Sequence, residues 1–279
     1  MFYPALSVTG PDGEFVLAVV DDYFPTAADQ NDNSLILYFR DARARDAAKQ
    51  AIAAAFPEAV LAAREVDDED WARRSQENLQ PITVGRITVH PRLRPSGSGE
   101  AGVSIVIQPS MGFGTGHHAT TRLCLLALQH ENLAGRTVFD VGTGSGILAI
   151  AAARLDAARA VGIDNDPDAV QAARENLALN PEATGVAFDV AELREVRTTK
   201  VRHDLVIANL TGALLAHEAD RILGAVRPGG RIIVSGLLAG ERDAVVAAFE
   251  PAALVAEARE DEWVAATFQA PNDLPLFPV

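Results

Sequence analysis

Acids, glycines and one amide recur in this sequence at spacings that suit a nucleotide-type ligand. The run from Thr137 to Leu155 opens with the strand-forming residues Val138, Phe139 and Val141, with Asp140 among them, and then sets Gly142, Gly144 and Gly146 at alternate positions. From Ile147 the composition turns to Ala and Leu at helical spacing, so the unit reads strand, glycine turn, helix. Glycines allow unusual backbone angles and a close approach of ligand to main chain. The helix behind them offers free N–H groups to polar or anionic ligand atoms. A dinucleotide fingerprint would need Gly or Ala at position 147, which is Ile, and it has no use for an acid two residues before the first glycine. S-adenosylmethionine carries a charged amino-acid end that Asp140 can hold. The segment Ala160-Val-Gly-Ile-Asp164 is a second strand ending in an acid, the arrangement that grips ribose hydroxyls.

Together Asp140, the three glycines and Asp164 resemble the motifs of a class I S-adenosylmethionine-dependent methyltransferase. Two further segments bear on chemistry. Between Ile107 and Arg122 lie Pro109, Gly112, Gly114, Gly116, His117 and His118, an irregular loop ahead of a helix expected from about Thr120. Thr120 and Thr121 suit either ligand contact or helix capping. Adjacent histidines without an accompanying Cys, His or acid set do not make a metal site, so none is expected. Downstream, His203-Asp-Leu-Val-Ile-Ala-Asn209 reads as a buried strand ending in Asn209. In an open parallel sheet the C-terminal strand ends border the ligand crevice, which puts Asn209 on the same edge as Gly142 and Asp164. Its amide oxygen can accept a hydrogen bond from a substrate amine and orient the lone pair, though Asn also caps helices.

These residues need a scaffold, and the chain is long enough for two domains at 279 residues. Residues 1–65 read as a small α+β unit: strands near Ala5–Val8, Ser34–Phe39 and Val60–Val66, a helix from Ala42 to Phe56, and an ambiguous stretch from Gly13 to Tyr23. A ferredoxin-like plait is suggested with three of its four strands placed. Residues 66–100 form a connector with an acidic start, a helix anchored by Trp71, an alternating strand from Ile82 to His90 and a Gly/Ser-rich loop from Arg94 to Gly102. From 101 to 279 strands alternate with helices, the mark of a mostly parallel, doubly wound sheet. Strands are expected near Val103, Val138, Ala160, Val186, Asp204, Arg231, Leu254 and Trp263, the last two as an antiparallel edge hairpin, with Pro228-Gly-Gly230 as a turn.

The totals exclude several classes. One cysteine, Cys124, allows no internal disulfide, and its Leu-rich helical setting reads as core. The start Met-Phe-Tyr-Pro-Ala has no signal-peptide pattern and no apolar run reaches membrane-spanning length, so a cytoplasmic protein is expected. A net charge of −14 argues against direct nucleic-acid binding and suits a basic protein substrate.

Together the segments Phe113–Leu125, Asp140–Ile150, Gly162–Pro167 and Ala208-Asn-Leu210 resemble the ribosomal protein L-eleven (L11) methyltransferase family, PrmA. Asp68-Glu-Asp-Trp71 resembles the family's linker signature, and Pro228-Gly-Gly230 with Ser235-Gly236 its later sheet. The resemblance covers most of residues 66–268. It implies a seven-stranded Rossmann-like catalytic domain joined by a linker to a small N-terminal substrate-recognition domain. S-adenosyl-L-methionine would be the cofactor, and lysine side chains and the N-terminal amine of protein L11 the acceptors. Thr121, Gly142, Asp164 and Asn209 would correspond to cofactor-contacting positions, with His118 beside the methyl donor; His118 and Asn209 would orient the amine. A monomer is expected. Two alternatives stay open: methylation of another protein's lysine or a small amine, and a non-catalytic factor that holds cofactor and ribosomal protein.

Overall fold

The computed structural model describes residues 2–11, 13–20, 23, 27–31, 34–39, 41–67, 80–91, 102–108, 118–195 and 202–273. The chain divides into two compact units, Met1–Asn78 and Leu79–Val279.

The first unit runs β1 (Phe2–Thr9), α1 (Gly13–Val20), β2 (Ala27–Asn31), β3 (Ser34–Tyr38), α2 (Ala42–Ala55) and β4 (Val60–Asp67). Its strands lie in the order β2-β3-β1-β4, all antiparallel, which is the ferredoxin-like plait. The ambiguous stretch is resolved as helix α1, and the missing strand is β2. Its sequence, Ala-Ala-Asp-Gln-Asn, carries no apolar alternation that could reveal it. Helix α2 begins where the Asp41 side chain accepts the Ala44 N–H at 2.9 Å, an N-cap to N3 bond, and it ends before Pro57. Ala48 and Ile52, four residues apart, turn inward onto Leu6, Leu35 and Phe39.

The second unit opens with β5 (Ile82–Val84) and β6 (Ile87–His90), a hairpin where a single strand was expected. The break falls at Gly85, whose φ of +57° turns the chain. This hairpin joins β7 (Val103–Val106) in a three-stranded sheet of its own. So the strand near Val103 is not part of the large sheet, and residues 82–90 fold with the large unit although they read as connector. The Gln129 side chain holds them there: its Oε1 accepts the Arg86 N–H at 2.7 Å and its Nε2 donates to the Val84 carbonyl at 2.9 Å. The connector helix with Trp71, most of the Arg94–Gly102 loop, and Gly112, Gly114, Gly116 and His117 lie outside the described residues.

The large sheet contains β8 (Thr137–Val141), β9 (Arg159–Asp164), β10 (Val186–Val190), β11 (His203–Asn209), β12 (Val226–Leu238), β13 (Ala253–Glu260) and β14 (Trp263–Gln269). Their order is β10-β9-β8-β11-β12-β14-β13, parallel except that β14 runs antiparallel between β12 and β13. The closing hairpin therefore folds inward, with β13 alone at the edge. Pro228-Gly-Gly230, expected as a turn, is a bulge within β12: the strand advances from Val226 to Arg231 while β11 advances only from His203 to Leu205, and Gly229 takes a φ of +70°.

Alternate residues of each strand face opposite cores. Val138, Leu205 and Ile207 pack under α3 (Ala119–Gln129), α4 (Ile147–Arg154) and α5 (Pro167–Ala178), which cover one face. Phe139, Val206 and Ala208 pack under α6 (Gly212–Ala225) and α7 (Arg242–Ala248) on the other. Burying both faces explains why β11 is almost continuously apolar, at about 1.5–3 kcal/mol per full-size side chain removed from water. Cys124 is fully buried in α3, and burial pushes its thiol well above the usual range. It is a core residue.

Candidate active site

The ends of β8, β9 and β11 meet at one level. Val141 is in register with both Ile163 and Ala208, so the next residues, Gly142, Asp164 and Asn209, stand side by side at the C-terminal edge of the sheet. Strands in a sheet are about 4.8 Å apart, so the three span a cleft on the scale of a nucleoside. The sequence placed these residues on one edge, and the structure brings them together.

Gly142, Gly144 and Gly146 all adopt positive φ (69°, 52° and 79°), a backbone that L side chains rarely take. At Gly146, which caps the N-terminus of α4, a Cβ would come within 2.7 Å of the Phe188 ring and 3.0 Å of Ala173. That contact lets α4 seat closely against α5 and β10, and so aims its free N–H groups at the cleft. The turn is held from β9: the Gly144 N–H donates to Asp164 Oδ2 at 2.9 Å, and Asp164 Oδ1 accepts the Asp166 N–H at 3.1 Å. Each carboxylate oxygen has a second lone pair, so Asp164 retains acceptor capacity for a pair of hydroxyls.

Asp140 is 1% exposed beneath this turn. Its Oδ2 accepts the Thr143 hydroxyl at 2.6 Å, while its Oδ1 is buried with no hydrogen-bond partner. Burial pushes the carboxyl up to about 7, partly offset by the Thr143 hydroxyl and the Ala149 N–H, with repulsion from Asp164 adding to the rise. Gly162 makes the Thr143 contact possible, because a Cβ there would sit 2.5 Å from the Thr143 hydroxyl oxygen. A buried, under-partnered acid next to open N–H groups fits a ligand with a cationic end beside a polar body.

Helix α3 delivers the next residues. His118, rather than either threonine, is its N-cap: Nδ1 lies 2.8 Å from the Thr120 hydroxyl and accepts weakly from the Thr120 N–H at 3.4 Å. Thr120 and Thr121 are both buried. The His118 ring meets the Trp263 ring edge-on, with centroids 4.9 Å apart. Trp263 pairs with Leu238 at the C-terminal end of β12, so His118 is held at the same edge of the sheet as Asn209. Arg122, one turn along, ties α3 to β13 through Glu260, with Nε to Oε1 at 2.8 Å. Asn209 is half-buried, in register with Ser235, and its amide makes no hydrogen bond to another described residue.

Sequence reasoning had read Trp263 only as a strand residue, since nothing local marks its partner in the other half of the domain. Among the described residues no group of three His, Cys, Asp or Glu could hold a metal ion. Nor is any described helix long and apolar enough to cross a membrane.

A family model described as ribosomal protein L11 methyltransferase (PrmA) matches residues 11–271. The ribosomal protein L11 methyltransferase of Pelotomaculum thermopropionicum is 41% identical over 214 residues, covering 75% of this chain and 68% of its own. That of Myxococcus xanthus is 36% identical over 237 residues, covering 82% and 79%. The crystal structure of a ribosomal protein L11 methylase from Lactobacillus delbrueckii subsp. bulgaricus superposes with a TM-score of 0.62 at 25% identity, over 69% of this chain and 98% of that one.

Proposed function

The chain belongs to the ribosomal protein L11 methyltransferase (PrmA) family, and from that premise we propose that it methylates amino groups of protein L11, on lysine side chains and at the N-terminus. S-adenosylmethionine is the methyl donor. The observation that carries the reading is the buried Asp140 oxygen without a partner. An anionic pyrophosphate beside it would be repelled, whereas the cationic amino-acid end of S-adenosylmethionine supplies the missing donor.

When bound, the cofactor supplies a methyl group already activated on a positive sulfur. The protein's part is to hold and orient. Asp140 takes the ammonium end, the turn from Gly142 to Gly146 admits the cofactor against the backbone, and Asp164 accepts from the ribose hydroxyls. Thr121, buried in the first turn of α3, is assigned to the cofactor contacts on the family resemblance. The Asn209 amide oxygen accepts an N–H of the incoming amine, which turns the nitrogen lone pair toward the methyl. His118, fixed by Trp263 and Thr120, forms the opposing wall. Free lysine has a pKa near about 10.4; burial beside a positive charge lowers it and favours the neutral, nucleophilic amine. Alignment of donor and acceptor then supplies most of the acceleration.

The ferredoxin-like unit presents L11 to this site. On this reading the enzyme works in the cytoplasm, as a monomer, on a basic protein rather than a nucleic acid, in keeping with its net charge of −14. The test is mass spectrometry of purified large-subunit ribosomal proteins after incubation with the enzyme and S-adenosylmethionine. Whole-methyl mass gains confined to L11 are expected. Gains on a different protein would keep the chemistry and move the substrate, and cofactor binding without any methylation would replace the enzyme by a binding factor.

A further inference from the structure

Two asparagines, Asn176 in the last turn of α5 and Asn180 just beyond its C-cap Leu179, are not accounted for by the reaction. They are four residues apart and 1% and 2% exposed. A buried amide needs both its donor and its acceptor satisfied, and both are. Asn180 pins the end of β7: its Oδ1 accepts the Val106 N–H at 2.8 Å, and its Nδ2 donates to the carbonyls of Val106 and Asn176, each at 2.7 Å. Asn176 does something different. Its Oδ1 accepts the Gln108 N–H at 2.8 Å while its Nδ2 donates to the Ser145 carbonyl at 2.9 Å.

Those two partners belong to the two glycine clusters. Ser145 lies inside the turn between Gly144 and Gly146. Gln108 is the last described residue before the run that carries Gly112, Gly114, Gly116 and His117. One amide thus joins the cofactor turn to the point where the chain leaves β7, and it does so with a donor on one side and an acceptor on the other. We propose that Asn176 is a positioning residue that sets the glycine turn against the end of β7 and thereby tunes cofactor affinity. This rests on the cofactor assignment made above.

The chemistry of the amide sets the test. Aspartate at 176 has Asn's shape, but ionised it presents only acceptors, so one oxygen faces the Ser145 carbonyl unpaired. Protonated, it regains one donor and one acceptor and can restore both bonds. Asn180 is the internal control, buried alike and bonded to β7 but not to the turn. S-adenosylmethionine is titrated calorimetrically into the wild-type chain, Asn176→Asp, Asn176→Ala and Asn180→Asp, each compared with wild type at the same pH. At about pH 8 both 176 variants should bind about tenfold more weakly, the worth of one hydrogen bond. Toward about pH 5.5, Asn176→Asp should recover to within about twofold of wild type while Asn176→Ala does not. Asn180→Asp should lower the melting temperature and leave affinity within about twofold. Wild-type affinity in Asn176→Ala, or an equal loss in Asn180→Asp, would overturn the brace. An absence of binding by the wild-type protein would overturn the cofactor assignment and the brace with it.

Discussion

Asp204 and Asp140 lie at opposite ends of the same two neighbouring strands, and they are treated in opposite ways. At the N-terminal edge, Asp204 has a side chain only 12% exposed and both its oxygens engaged. Oδ2 accepts the Thr137 N–H and hydroxyl, each at 2.8 Å, and Oδ1 accepts from Arg227 at 2.9 Å and Arg136 at 3.3 Å. Burial alone would raise its pKa, but the Thr137 bonds and the two arginines outweigh burial and hold it below the usual carboxylate value. At the C-terminal edge Asp140 is more deeply buried, has one oxygen without a partner, and is pushed up to about 7. A saturated acid fastens strand to strand; an unsaturated one carries a cost in the free protein that a cationic donor on a ligand can relieve. The sheet is built at one end and used at the other, which is the general logic of open parallel sheets.

Substitutions at the two acids should therefore separate stability from binding. The largest effect is expected from Asp204→Ala, which strands a half-buried N–H and hydroxyl of Thr137 and leaves two arginines without their shared acid. It should cost about 2–3 kcal/mol, and at about 2–4 °C per kcal/mol for a domain of this size the melting temperature falls visibly. Cofactor affinity should stay within about twofold, because the nearest ligand-facing residue is a full strand length away. A tenfold loss of affinity would mean that the two ends are coupled and that the contrast is false.

Next comes Asp140→Asn, which keeps the shape and removes the charge. Affinity for S-adenosylmethionine should fall about tenfold, from loss of one charge-assisted hydrogen bond, as read by titration calorimetry. The melting temperature of the free protein should not fall, since a buried carboxyl is replaced by a neutral amide. Reversed outcomes, with stability lost and affinity kept, would assign Asp140 to the scaffold.

How much of this contrast could be read from sequence depends on whether the cause is local. The turn from Gly142 to Gly146 was legible because glycine spacing, the preceding acid and the helix that follows are all contiguous. The level meeting of Gly142, Asp164 and Asn209 was legible too, since parallel strands present their C-terminal ends together. Strand β2 was not, because its backbone pairing with β3 holds a sequence with no strand pattern. The Pro228-Gly-Gly230 run reads as a turn and does interrupt the pairing with β11, but the strand continues across it, because the ladders to β11 and β14 resume together at Arg231. Asp204 and Asn176 looked like ordinary polar residues. Their roles arise from partners 67 and 68 residues away, and no single window contains them.

The smallest of the expected effects is a pH dependence set by the same pair of acids. In the free protein Asp140 has a pKa raised from its ordinary 3.8 to about 7, so folding favours its protonated form. Its contribution to stability is complete below about 3.8 and is lost as pH rises through about 7. Asp204, held low, behaves in the reverse sense: its contribution is present above the ordinary carboxylate value and lost as pH falls through its lowered one. Binding a cationic cofactor end requires Asp140 to be charged. A carboxyl with pKa about 7 is roughly one-tenth ionised at pH 6 and half ionised at pH 7, so cofactor affinity should improve about fivefold over that interval. Above about 7.7 the cofactor's own amine begins to lose its proton, which confines the useful window to the acid side. Asp140→Asn should be flat from pH 6 to 7, while Asp204→Ala should keep the wild-type slope. An equal slope in all three proteins would show that some other group titrates, and would remove Asp140 from the binding site.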